Sequence, residues 1–246
     1  MNELITLARG ALTLNAQTFN SLKQAPDAFR RGLTIVLVVG LIVGGVLGVI
    51  ALIGEILTPP AQQIAQAREG FRQTFGNFSS AMPPEVSRQV TESFEMGLRI
   101  GERVTRETKS PLPEPLGVIF RRFGAIVSYP FGWLGGLIFF GALVHIFAKL
   151  LGGRGTIAQM LGVTSLTVVP HLLDVLGFIA CLGALLGLIA WVWGVLIYVK
   201  GVAVAQEMST GKAILAVLLP FIIALLLALL LLVSVGVLIA MASGGK

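Results

Sequence analysis

From Gly32 to Leu57 the chain is apolar, with Glu55 as its single charged residue. A helix of about 20 such residues crosses roughly 30 Å of hydrocarbon. In lipid, backbone amides and carbonyls must satisfy one another, so a run of this kind commits the chain to a membrane-spanning helix. A second run, Val127 to Leu151, follows Arg121 and Arg122, with Pro130 near its start and Lys149 near its end; a proline there suits a first helical turn. From Thr156 to Lys200 the chain is apolar for too long to be one helix. Pro170, Asp174 and Gly177 mark the turn, giving spans at Thr156 to Val175 and Gly177 to Val199. The fifth run, Ala213 to Met241, exceeds what a crossing needs and can tilt. The expected fold is all-α: a polytopic transmembrane helical bundle of about five spans.

Composition agrees with that assignment. Hydrophobic residues make up 55% of the chain, charged residues only 12%, and mean hydropathy is +0.90, values foreign to an ordinary soluble domain. The net charge of +6 and pI near 10.0 do not point to nucleic acid. The basic residues stand at span ends or in a mixed-charge segment, without a cluster interleaved with aromatics, and so read as topology control and headgroup contact. The N-terminal stretch is too polar for a signal peptide and the first apolar run too long for an h-region, so span one is expected to be retained. A single cysteine, Cys181, offers neither a disulfide framework nor a thiolate ligand set.

Between Pro59 and Pro115 the composition changes: seven basic residues stand against seven acidic ones. Ile64, Phe71, Phe75 and Phe78 share one helical face, and Val86, Val90, Phe94, Gly97, Gly101 and Val104 share another. Two extramembrane amphipathic helices meeting at GNFSSAMPP are expected, with Glu95–Arg99 and Glu102–Arg106 as i,i+4 pairs on the solvated side. The chain then divides into an N-terminal amphipathic, interfacial segment (1–31), the first span (32–57), the extramembrane helical segment (58–124) and a four-span bundle (125–246). Arg30 and Arg31, Lys149 and Arg154, and Lys200 and Lys212 fall in regions that share a side, which the positive-inside rule makes cytoplasmic. The N-terminus is then inside, while Arg121 and Arg122 vote the other way.

Small-residue spacing suggests where helices approach: Gly40, Gly44 and Gly48, then Gly132 with Gly136, and Gly183 with Gly187, the last repeating at Gly194 and Gly201. The hydroxyls of Thr164, Ser165 and Thr167 are expected to turn inward and find carbonyls. His171 and Asp174, at i and i+3, can share a proton or a metal, but stand near the end of their span with no third ligand at suitable spacing. His145 and Glu55 read as interfacial residues. Catalytic motifs fail: QEMSTGKA holds the Gly211-Lys212 pair of a phosphate-binding loop, but Gln206 replaces its first glycine and Ala213 its magnesium-binding hydroxyl. Neither HExxH nor GxSxG occurs. No enzyme, cofactor or metal site is expected.

The stretch LGGRGTIAQMLGVTSLTVVPHLL, followed a span later by GVAVAQEMSTGKAILAVLLP, resembles the Yip-domain family, named for Ypt-interacting proteins. The matching positions are Gly152, Gly153, Gly155, Thr156, Gln159, Pro170, Gln206, Gly211, Lys212 and Ala213. The resemblance implies five spans, a glycine-rich turn after the second, a hydroxyl-bearing third span that ends at proline, and a Gly-Lys-Ala opening to the fifth. Eukaryotic members are associated with Rab-type GTPases and the shaping of ER and Golgi membranes. The compact N-terminal tail and the long insertion after span one depart from those members, favouring a prokaryotic cytoplasmic-membrane protein and disfavouring a GTPase partner. The loops Gly152 to Thr156 and Gln206 to Lys212, made basic by Arg154 and Lys212 with Lys149 and Lys200, are the candidate surface for lipid headgroups or an acidic partner. The functional expectation is a non-enzymatic membrane scaffold or accessory subunit that binds the bilayer, other membrane proteins or further copies of itself. The alternative is a small transporter or channel with a polar path near span three.

Overall fold

A computed structural model describes residues 2–58, 60–80, 82–107, 114–179 and 182–243. Among them are nine α-helices, one 3-10 helix and no strand. Five stretches of the described residues are long and apolar enough to cross a membrane: Ala28–Leu57, Leu116–Leu150, Ile157–Leu176, Leu182–Ala205 and Thr210–Ser234. The protein is a multi-pass helical membrane protein, as the apolar runs require. It divides into two compact units, Met1–Leu47 with Ile126–Lys246, and Gly48–Ala125.

In the first unit, α1 (Asn2–Leu12) and α2 (Ala16–Gln24) are more than an interfacial segment: Leu7, Ala11, Phe19 and Leu22 are buried in the core. They fold back on each other at Leu14, which adopts a left-handed φ of 51° in a Schellman-type ending, with Leu14 N–H donating to Ala11 O and Asn15 N–H to Gly10 O. The Asn15 side chain then caps α2 by accepting from Gln17 N–H at 2.9 Å. First-span helix α3 (Ala28–Leu57) starts one turn before the expected boundary, where Asp27 meets Arg30 and Arg31 at 2.7 Å each. Arg31 also pairs with Glu3 of α1.

Helix α6 (Glu114–Leu150) corrects the reading of the second span. It runs for 37 residues with Pro130 inside it rather than in its first turn, so it measures about 55 Å. A proline is tolerated inside a membrane helix where a neighbour accommodates it. Here Gly40 of α3 does so, since a methyl group on Gly40 would come within 2.6 Å of Pro130 Cβ.

The third span is not one α-helix. It begins as α7 (Ile157–Thr164) and continues as a 12-residue 3-10 helix, Ser165–Leu176, far longer than the usual three or four residues. Local chemistry accounts for the change. Thr164 Oγ1 donates to Met160 O at 2.8 Å and Ser165 Oγ to Gly162 O at 2.6 Å, competing for helical carbonyls, and Pro170 removes an amide donor. A turn through Gly177 and Ile179 delays the fourth span, so that α8 occupies Leu182–Ala205 instead of Gly177 to Val199. Lys200 therefore sits within the helix. Helix α9 (Thr210–Ser243) completes the unit. Its Leu225–Leu227 and Leu229–Leu232 side chains are 50–71% exposed, an apolar surface suited to a membrane interior.

Within the second unit, α4 (Pro60–Ser79) and α5 (Pro84–Glu107) form the expected amphipathic pair. Phe71 stacks on Phe94 with 3.9 Å between ring centroids and on Phe75 with 5.0 Å. Glu95 does not pair with Arg99; it crosses to Arg68 of α4 at 3.1 Å, where a partly shielded partner replaces an exposed i,i+4 neighbour. Glu55, only 14% exposed, is gripped by both Arg121 and Arg122, the latter at 2.6 Å. Cys181 and Lys109, and the side chains of Phe78 and Arg106 with the Glu102–Arg106 pair, lie outside the described residues.

Candidate functional site

The two basic inter-span loops are built as one surface. Helix α6 ends in a Schellman motif: Gly152 has φ +92°, its N–H donates to Lys149 O, and Gly153 N–H donates to Ala148 O at 2.8 Å. Only glycine takes this conformation without strain. The next residues turn onto the end of α8. Arg154 N–H donates to Gln206 O at 2.9 Å, and a methyl on Gly155 would come to 1.8 Å of the Ala205 carbonyl oxygen. Backbone thus lies directly on backbone.

Thr156 then starts α7 with a capping box, its hydroxyl accepting from Gln159 N–H at 3.2 Å while Gln159 Oε1 accepts from Thr156 N–H at 2.9 Å. Gln159 also donates to Lys23 O of α2 at 3.4 Å.

Gln206 locks the joint from inside. Its side chain is fully buried, and Nε2 lies 2.8 Å from His145 Nδ1 and 3.4 Å from Met160 Sδ, tying α8 to α6 and α7. His145 is therefore a structural partner as well as a residue near the end of a span. Gly153 must be small, because its methyl would meet Gln206 Oε1 at 2.7 Å. Lys212 reaches back to Leu151 O at 3.3 Å. Gly211 is exposed, with open space over it. The sequence-derived loop residues Gly152, Gly153, Arg154, Gly155, Thr156, Gln159, Gln206 and Lys212 are thus brought together.

Sequence reasoning missed Glu207 and Lys23. Glu207 ends α8 in a third ending of the Schellman type, with φ 55° and bonds from Glu207 N–H to Val204 O and Met208 N–H to Ala203 O. A left-handed non-glycine residue costs on the order of 1–2 kcal/mol. Its carboxylate is placed 2.6 Å from Lys23 Nζ, joining α2 to the loop between α8 and α9. That hydrogen bond, the Lys23 charge and more weakly Arg154 hold the Glu207 carboxyl below the ordinary glutamate range. A carboxyl depressed in the folded state contributes stability above its unfolded pKa and loses it as pH falls through the folded one. The α2 contact should therefore loosen on acidification below the glutamate range, seen as faster amide exchange in residues 16–24. Glu207→Gln should remove that pH dependence, as should Glu207→Gly, which relieves the backbone strain but deletes the pair. Trp193 adds a further tie, donating to Leu12 O at 3.0 Å.

The packing glycines divide. Gly44 would place a methyl 2.8 Å from Tyr129 Cβ and Gly183 one 2.4 Å from Gly177 O, while Gly187 lies under Asp174 at 3.8 Å. Gly194 and Gly201 continue that face against Thr167 and Thr164, and Thr167 Oγ1 donates to Gly194 O at 2.7 Å. Gly132 and Gly136 find no such neighbour, with nothing within 4 Å of either among the described residues. Gly48 lies partly buried on α3. His171 Nδ1 and Asp174 Oδ2 are 2.8 Å apart, aligned by the three-residue repeat of the 3-10 helix, and Trp133 lies edge-on to the imidazole at 5.0 Å. Among the described residues no group of three potential ligands surrounds them.

The Yip1 domain family model matches residues 9–232. No curated protein and no solved structure matches the chain. The matched stretch contains α2, the Gly152–Thr156 turn, the hydroxyl-bearing third span and the Gly211-Lys212-Ala213 opening of α9, so this chain, joined loops included, belongs to the Yip1 domain family.

Proposed function

We propose that the protein is a non-enzymatic membrane scaffold or accessory subunit that binds partner membrane proteins or lipids through its joined loops and helix faces. The observation that carries this reading is the fusion of two inter-span loops into one fixed surface, sealed by Gly155 on Ala205 and by buried Gln206. Connecting loops need only span a gap. These two carry exposed Lys149, Arg154 and Lys212 at their rim, with the α2 contact neutralising Glu207. A fixed basic surface of this kind favours headgroup phosphates or an acidic partner.

The Lys23–Glu207 contact also supports placing the N-terminal helices and both loops on one side, which their charge makes the cytoplasmic one. Purification in mild detergent with a co-eluting membrane partner, or altered membrane organisation on deletion, is the expected result; absence of both contradicts the proposal.

Transport is the less favoured reading because the hydroxyls of Thr164, Ser165 and Thr167 are all spent on carbonyls. Reconstituted liposomes should show no solute flux above protein-free vesicles, and none that changes when these three residues become alanine. Flux abolished by those substitutions would reverse the ranking.

A further inference from the structure

Helix α5 presents an apolar strip that its contact with α4 does not use. At about 100° per residue, Val86, Val90, Gly97 and Ile100 fall on one face about 80° wide. Val86 is 43% exposed, Val90 37% and Ile100 57%, with Met96 at 61% on the margin. Nothing lies within 4 Å over Gly97. The contact with α4 is made from the edge of this face, by Phe94 on Phe71, and from the far side of the helix, by Glu95 on Arg68.

Charge along the flank of this strip is uneven. The first half carries Glu85 and Glu92, with Arg88 shared between them at 3.1 and 3.8 Å. In the second half Arg99 and Arg103 are exposed, and the ion pairs among the described residues include neither.

We propose that this strip is the contact surface for a second copy of the chain, with the two α5 helices antiparallel. That direction seats Val90 against the partner's Ile100 and sets Gly97 against the partner's Ser93, small residues on either side of the two-fold that let the backbones approach. It also sets Arg99 beside the partner's Glu92 and Arg103 beside the partner's Glu85, four opposite-charge contacts in the symmetric pair. A parallel pair would turn the two charged flanks to opposite sides of the contact and leave these charges unpaired. An anionic membrane surface is the poorer occupant, since the insertion is electrically neutral and two glutamates flank the strip. This inference stands on a different surface from the joined loops and does not depend on the function proposed for them.

The test is disulfide trapping of the full chain in native membranes. Two differently tagged forms in a Cys181→Ser background, one with Val90→Cys and one with Ile100→Cys, are co-expressed and oxidised. A mixed disulfide between the tags, with little self-disulfide from either form alone, is expected. Arg99→Glu should abolish it, and adding Glu92→Arg to the same chain should restore it, a rescue that a misfolded variant cannot give. Self-disulfides from each form alone would show a parallel pair and overturn the proposal. So would the absence of any disulfide from membrane-inserted protein, which would assign the strip to lipid or to an unrelated partner.

Discussion

Gly155→Ala should take apart the joint between the two basic loops. The new methyl would sit 1.8 Å from the Ala205 carbonyl oxygen and 2.8 Å from its carbon, so a backbone segment, not a flexible side chain, has to move. Overpacking against rigid structure costs about 3 kcal/mol at the upper end, which for a chain of this size lowers a melting transition by on the order of 10 °C. The loss should be local first: Arg154 N–H loses its acceptor on Gln206, and buried Gln206 becomes accessible from the loop side. Thermal unfolding in detergent, together with amide exchange at residues 152–156, measures both. An unchanged melting temperature would mean that the loops do not bear on each other as described. Gly211→Ala is the matched control, because nothing lies within 4 Å of Gly211 and the effect should be small.

Phe19→Ala should release the N-terminal helical pair. The Phe19 ring is fully buried, and truncating a buried phenylalanine costs about 3–5 kcal/mol through lost transfer energy and the cavity left behind. Further ties of α1 and α2 include Leu7, Ala11 and Leu22 in the core, the half-exposed Glu3–Arg31 and Lys23–Glu207 pairs, the Gln159 bond to Lys23 O and the Trp193 bond to Leu12 O; ion pairs open to solvent contribute little. Proteolysis within residues 13–27 should accelerate while the spans stay protected. Equal susceptibility of the wild type and variant would show that the pair is not held by its apolar face.

The spans were legible because lipid imposes a length: about 20 apolar residues per crossing leaves little freedom of interpretation. The insertion was legible because Phe71 and Phe75 repeat at helical spacing, and the glycine-rich turn through its resemblance to the Yip-domain pattern, its glycines answering a left-handed φ at Gly152 and a close backbone approach at Gly155. The 3-10 segment was not, since Thr164, Ser165 and Pro170 signal competition for helical carbonyls and a lost donor without fixing which helix type results. Pro130 lies mid-helix because Gly40, far off in sequence, makes room for it. Glycine spacing shows that close approach is allowed, not which face is used, so Gly194 and Gly201 pack while Gly132 and Gly136 stay open. The Lys23–Glu207 link had no sequence signal at all: two common charged residues become partners only when α2 folds onto the loop.

The central claim is that the joined loops are a docking surface. A photo-reactive residue at Gly211, which is exposed with open space over it, tests it in native membranes. The account predicts a discrete adduct with a membrane protein or an anionic lipid that disappears when Arg154 and Lys212 are both changed to glutamate. No adduct, or an adduct pattern that the charge reversal leaves unchanged, would contradict it.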